Sequence, residues 1–149
     1  MKHLDDAAKK KIRTVIWVAL CLVIVFFGWP RKLSRLVPAG QVDHIYIDWQ
    51  EGSARDWEAK RVTLTGEQVE AFLDYWDDFS LQLTTPKSIF VLPTYHVHFY
   101  SESGVFDMLV SAEGVVSLGK VGGKDKCYYA KPWNDQSPDE LREFILSLQ

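Results

Sequence analysis

The segment TYHVHFYSESGVFDMLVS, residues 94–111, decides the fold class of this chain. Apolar side chains occupy every second position from Tyr95 to Phe99, which is the pattern of a strand with one buried face. The turn-forming residues 101–104 then lead into a second apolar run, 105–111. The pattern predicts a β-hairpin and, with it, an antiparallel sheet.

Four further strands are predicted around this hairpin. Each combines β-branched or aromatic residues with alternating apolar and polar positions, and turn-forming residues separate the strands. Strands joined by such short turns pair in the antiparallel direction. The predicted strands are 44–49, 60–64, 115–121 and 126–130.

Two helices are predicted from the residues that begin them. Residues 65–68, Thr-Gly-Glu-Gln, have the spacing of a capping box, and Ser137 before Pro138 is typical of an N-cap with proline at the first helical position. Each start is followed by apolar residues at helical spacing. These residues are Val69, Phe72, Leu73, Trp76 and Phe79 in the first helix, and Leu141, Phe144, Ile145 and Leu148 in the second.

The predicted element order is ββαββββα, preceded by an N-terminal apolar helix. It indicates an α+β domain, residues 42–149, with a mainly antiparallel sheet and both helices packed on one face. Trp76 is expected in the core. The acidic residues of the same helix are expected on its solvated face, and they are Glu67, Glu70, Asp74, Asp77 and Asp78.

The N-terminal apolar stretch is TVIWVALCLVIVFFGW, residues 14–29, which has sixteen residues without a charge. A helix of this length covers about 24 Å, and flanking lysines and arginines extend toward the headgroups to complete a membrane span. Trp17 and Trp29 stand near the two ends, where indoles favour the interface. Residues 14–30 are therefore predicted to be a transmembrane anchor.

A cleaved signal peptide and a buried helix of a soluble protein are the alternatives to this anchor. A signal peptide needs small residues directly after the apolar run, but this run ends in Trp29, followed by a proline and two cations. Cys21 lies in the middle of the segment behind Leu20, which disfavours a lipoprotein acceptor. The sequence favours a retained anchor.

Charge counting predicts the orientation of the anchor. Five Lys/Arg precede it and three follow it closely, so the positive-inside rule places residues 1–13 in the cytoplasm as a basic tail. Residues 31–41 would then be a linker, and residues 42–149 an extracytoplasmic domain at the cell membrane. The compact single-pass organisation favours a bacterial source.

The charge of the exported part limits its partners. Residues 1–35 contain eight Lys/Arg and two Asp/Glu, whereas residues 36–149 contain nine and eighteen, which gives the two parts charges of +6 and −9. An acidic domain repels phosphate backbones, which argues against nucleic acid as a partner. The expected partners are the membrane, through residues 14–30, and a protein.

Catalytic and cofactor motifs fail on their spacing. The glycines before Lys124 do not complete a phosphate-binding loop, because Leu118 and Asp125 stand where glycine and Ser/Thr are required. The sequence also lacks the G-x-S-x-G, H-E-x-x-H and dinucleotide-binding patterns. The chain is therefore expected to be neither an enzyme nor the carrier of a cofactor.

His96 and His98 form the one chemical pair that the sequence suggests. Residues i and i+2 of a strand project from the same face, so the two imidazoles could serve Zn²⁺ or Cu²⁺. A third ligand would come from His44, Asp48 or Asp107. The simpler alternative is a pair of histidines on a solvated strand face.

Aromatic side chains outside the expected core form a second candidate site. Such residues bury a large area with little loss of entropy, which suits recognition of a partner. Alternatively, they cover strand edges. The candidates are Tyr46 and Tyr100 on strands, and Trp57 and Trp133 in loops.

The sequence therefore predicts a membrane-tethered, non-catalytic interaction or sensory domain. One alternative is a metal-binding accessory protein that uses His96 and His98. Another is a membrane-anchored inhibitor or hydrolase, although no nucleophile and base are evident.

Overall fold

Within the residues that the structure describes, the domain has a sheet of seven strands, and all neighbouring strands are antiparallel. The structure is a computed structural model that describes residues 6–52, 56–85 and 94–149, without the side chains of Ala39 and Trp57. The strands are β1 (Val42–Gly52), β2 (Trp57–Thr65), β3 (Ser80–Thr84), β4 (Tyr95–Ser101), β5 (Gly104–Val110), β6 (Val115–Lys120) and β7 (Lys126–Lys131). Their order in the sheet is β2-β1-β4-β5-β6-β7-β3.

Two longer helices of the domain pack on one face of this sheet. The α-helices among the described residues are α1 (Asp6–Gly28), α2 (Leu33–Leu36), α3 (Glu67–Asp77) and α4 (Ser137–Ser147), and Ala39–Gln41 form a 3₁₀ helix. The ring of Tyr75 in α3 stacks on Phe144 in α4 with centroids 4.3 Å apart. The hydroxyl of Tyr95 in β4 donates to the carbonyl oxygen of Pro138 in α4 at 2.8 Å. The predicted α+β fold class is confirmed.

The core lies between the sheet and these two helices. Trp76 is fully buried, as its place in the apolar stripe predicts. The inner face of the sheet is lined by the alternate residues of its strands, including Ile45, Ile47, Val97 and Phe99. Burial, together with the carboxylates of Glu140 and Asp78, raises the pKa of Tyr75 to about 12, so its hydroxyl is uncharged at neutral pH.

Both helix starts differ in detail from the sequence patterns. The Gln68 side chain accepts a hydrogen bond from the Thr65 backbone N–H at 3.1 Å, which is one half of the predicted capping box. The N-cap itself is Gly66, whose φ of 54° suits a glycine at the turn from strand to helix. Ser137 lies inside α4, where its hydroxyl accepts a hydrogen bond from the Asn134 N–H at 3.0 Å.

Strand β3 is absent from the predicted element order. It has only five residues and begins three residues after the end of α3, without a glycine or proline to mark the change. Its partner is β7, with Leu81 opposite Ala130, which is a long-range pairing that no local pattern signals. The observed order of the domain is therefore ββαβββββα, with two additional short helices before it.

The segment 31–41, predicted as a linker, is packed onto the domain. Arg31 and Leu81 exchange two backbone hydrogen bonds of 3.0 and 2.8 Å. Leu33 and Val37 are fully buried in the common core. The packed part of the chain thus begins directly after the apolar helix.

Asp77 holds this segment in place, although the sequence pattern places it on a solvated helix face. It is half-buried, and its carboxylate accepts hydrogen bonds from the backbone N–H and the hydroxyl of Ser34. Its carbonyl oxygen accepts another from the Lys32 ammonium group. The sequence does not predict this contact of Asp77, because α2 has only four residues and is too short to show a periodic apolar pattern.

Helix α1 is long and apolar enough to cross a membrane. None of its residues is buried, so it is not a core helix of the domain. Its length, composition and place near the N-terminus fit a membrane anchor or a signal sequence. Arg31 caps its C-terminal end, donating to the carbonyl oxygens of Phe26 at 3.2 Å and Trp29 at 3.3 Å.

We predict that a fragment of residues 42–149 is less stable than one of residues 31–149. The shorter fragment loses the fully buried Leu33 and Val37, each worth about 1.5–3 kcal/mol. Urea unfolding should therefore give a free energy of unfolding lower by about 3–6 kcal/mol. In the longer fragment, Leu33→Ala should be destabilising and Arg35→Ala, on the exposed side of α2, should not. Equal unfolding midpoints for the two fragments would show that 31–41 is only a linker.

Candidate metal centre

The outer face of the sheet, opposite α3 and α4, carries the polar residues of β1 and β4. In the antiparallel register, Asp48 lies opposite His96, and Tyr46 lies opposite His98. On the other side of β4, His98 lies opposite Asp107 in β5. Directly opposite residues of paired strands point to the same face, so the register brings these side chains together.

Asp48, His96 and His98 form a cluster with the composition of a metal site. One ligand atom from each residue lies within 4.8 Å of the others. The nearest Asp48 oxygens are 3.9 Å from His96 Nδ1 and 3.7 Å from His98 Nε2. Ligand atoms around a tetrahedral zinc ion are about 3.3 Å apart. Small side-chain rotations would therefore close the cluster around an ion.

Asp107 contacts the ring of His98 on the side away from Asp48. Its Oδ1 lies 2.6 Å from His98 Nδ1, within hydrogen-bond distance. Nε2 is the nitrogen that faces Asp48, 3.7 Å from its nearest oxygen. Metal-binding histidines usually donate their second N–H to a carboxylate in this way, which orients the ring and makes it more basic.

The three predicted candidates for a third ligand take different positions. Asp48 joins the histidine pair, and Asp107 binds His98 on the side away from Asp48. His44 lies outside the cluster. Its Nδ1 is 2.8 Å from an Asp43 oxygen, and its ring stacks on Tyr100 with centroids 4.4 Å apart.

The cluster is accessible from solvent. The side chains of His96, Asp48 and His98 are 48%, 35% and 29% exposed, respectively. An ion bound to them would therefore be open to solvent on the outer side of the sheet. Such a site can take a further ligand from outside the protein.

Two of the predicted recognition residues share this face. The ring of Tyr46 lies 5.8 Å from that of His98, measured between centroids. Tyr100, two residues after His98 in β4, is half-buried, and its ring stacks on that of His44. The structure therefore brings Tyr46 and Tyr100 beside the cluster.

Of the two tryptophan candidates, Trp133 lies away from the cluster, and the side chain of Trp57 is not among those described. Trp133 stacks on Trp76 with centroids 5.9 Å apart, and its indole N–H donates to the Ala112 carbonyl oxygen at 2.9 Å. The ring of Trp133 therefore packs against the core and stabilises the fold. Trp57 begins β2 and is not in a loop, and its side chain lies outside the described residues.

Arg61 is a neighbour of the cluster that the sequence did not predict. It lies in β2 directly opposite Asp48, and it is exposed. The sequence predicts both strands, 44–49 and 60–64, but the loop between them does not fix which residue pairs with Asp48.

Comparison of the chain with protein-family models, with curated proteins and with solved structures finds no match. The assignment of a site therefore depends on geometry and chemistry alone.

Proposed function

We propose that this protein is a membrane-anchored domain outside the cytoplasm that binds a divalent transition-metal ion at Asp48, His96 and His98. The proximity of their three ligand atoms, within 4.8 Å on an exposed face, carries the proposal. Two imidazoles and one carboxylate suit Zn²⁺ or another divalent transition-metal ion, because imidazole is a ligand of these ions whereas hard cations such as Mg²⁺ prefer oxygen ligands.

The second contact of His98 supports a ligand role over that of a solvated histidine. Its contact with Asp107 at Nδ1 turns Nε2 toward Asp48. The net charge of −9 on residues 36–149 also favours the approach of a cation.

The proposed role is binding or sensing without catalysis. The cluster lies on the open face of a sheet, and the sequence carries no recognised catalytic motif. A metal ion on this face would be the signal or cargo of the domain. The predicted sensory role and the predicted metal-binding role then describe the same surface.

A second candidate function is recognition of a protein partner by this face. Tyr46 and Tyr100 lie beside the cluster and combine apolar rings with hydroxyl groups. In that case their substitution would weaken partner binding, whereas removal of the metal would leave it unchanged.

Retention of α1 as the anchor is part of the proposal. Arg31 both caps α1 and pairs with Leu81 of the sheet, so the packed domain follows the helix without a flexible spacer. The excess of Lys/Arg before the helix supports a cytoplasmic N-terminus.

We predict that the detergent-solubilised full chain binds one Zn²⁺ or Co²⁺ ion. The double substitution His96→Gln/His98→Gln should abolish this binding, because it removes two of three ligands. His44→Gln is the matched control, since His44 lies on the same face outside the cluster. Isothermal titration would contradict the proposal if wild type bound no ion or the double variant bound as wild type does.

We further predict that Asp107→Asn lowers the affinity for Zn²⁺ by about tenfold, because His98 loses its orienting carboxylate. Asp43→Asn, which alters the equivalent contact of His44, is the control and should bind Zn²⁺ as wild type does. Identical affinities of the two variants for Zn²⁺ would show that Asp107 does not contribute to the site.

The anchor and its orientation are tested in intact cells. Full-length protein should stay with the membranes in alkaline carbonate. Protease added to spheroplasts should digest the C-terminal domain and spare a tag at the N-terminus. The opposite digestion pattern would reverse the orientation, and a shortened, released protein would identify α1 as a signal sequence.

A further inference from the structure

We infer that the metal ion bound at Asp48, His96 and His98 takes an oxyanion, a phosphate or carboxylate group, as its external ligand, and that Arg61 provides the second contact. The inference rests on the proposed metal site. It assigns a ligand class to the open side of that site and a function to an arginine outside it.

The register of three strands places Arg61 beside the site. Asp48 in β1 lies between Arg61 in β2 and His96 in β4, so the three residues form one row across the outer face. Neighbouring strands are about 4.8 Å apart. The long side chain of Arg61 can therefore extend over a ligand seated on the ion.

Arg61 is available for such a ligand. Its side chain is exposed, and within residues 6–52, 56–85 and 94–149 it makes no ion pair or hydrogen bond. Lys60, its neighbour on the same strand, pairs instead with Glu58 at 2.8 Å. Alternation along the strand directs Lys60 to the opposite face.

Charge makes the binding of an anion depend on the metal. Without an ion, the carboxylates of Asp48 and Asp107 and the guanidinium of Arg61 sum to −1. A divalent ion changes this sum to +1, so the loaded site attracts anions although the domain around it is acidic.

The chemistry of both contacts selects an oxyanion. A zinc ion with three protein ligands keeps a fourth position for an oxygen donor. A guanidinium group presents a planar fork of N–H donors that matches the oxygen pairs of carboxylate and phosphate groups. One oxygen can therefore coordinate the ion while a second accepts hydrogen bonds from Arg61.

The test uses the visible absorption of Co²⁺ bound to the detergent-solubilised full chain. Inorganic phosphate and acetate are added in separate titrations. We expect at least one of them to shift the Co²⁺ bands in a saturable way while the ion stays bound. The arm that responds identifies the anion as a phosphate or a carboxylate.

Arg61→Gln should weaken this anion binding by about fivefold, as expected for an exposed charged contact, and leave the Co²⁺ affinity unchanged. Lys60→Gln is the matched control and should bind the anion as wild type does. Normal Co²⁺ binding with no response to either anion, or equal anion affinity in Arg61→Gln, would overturn the inference and leave the metal site standing. Failure to bind Co²⁺ would instead overturn the proposed function.

Discussion

The antiparallel pairing of β1 with β4 is the constraint on which the site depends. Ile45 and Ile47 on β1 pack in the same layer as Val97 and Phe99 on β4, and the intervening residues face outward. A shift of one residue in either strand would bury its polar side chains against the helices. The burial of the core therefore fixes the face on which Asp48, His96 and His98 lie, and the register of β1 against β4 brings them together.

The segment that follows α1 is held on the domain by buried side chains and hydrogen bonds. Leu33 enters the common core, Arg31 extends the edge of the sheet at β3, and Ser34 binds the end of α3 through Asp77. If α1 is a retained anchor, these contacts limit how the sheet can turn relative to the membrane. The open face of β1 and β4 would then be presented in a restricted range of orientations.

Local sequence patterns predicted most of the helices and strands, whereas strand β3 and the geometry of the site depended on long-range strand pairing. The hairpin of β4 and β5 and the apolar stripe around Trp76 follow from alternation and helical spacing. Strand β3 was missed because it is short and pairs with β7, whose paired residues are 43 to 51 positions away. For the site, alternation placed both His44 and Asp48 on one face, and only the register of β1 against β4 chose Asp48 as the partner of the histidines.

The most direct test of this account is the location of a bound ion. Crystals of the full chain grown with Zn²⁺ should show, at the zinc absorption edge, one anomalous peak about 2.0–2.2 Å from a nitrogen of His96, a nitrogen of His98 and an oxygen of Asp48. Asp107 should remain bound to His98 on the side away from the ion. A peak at other residues, with these three side chains free of metal, would contradict the account.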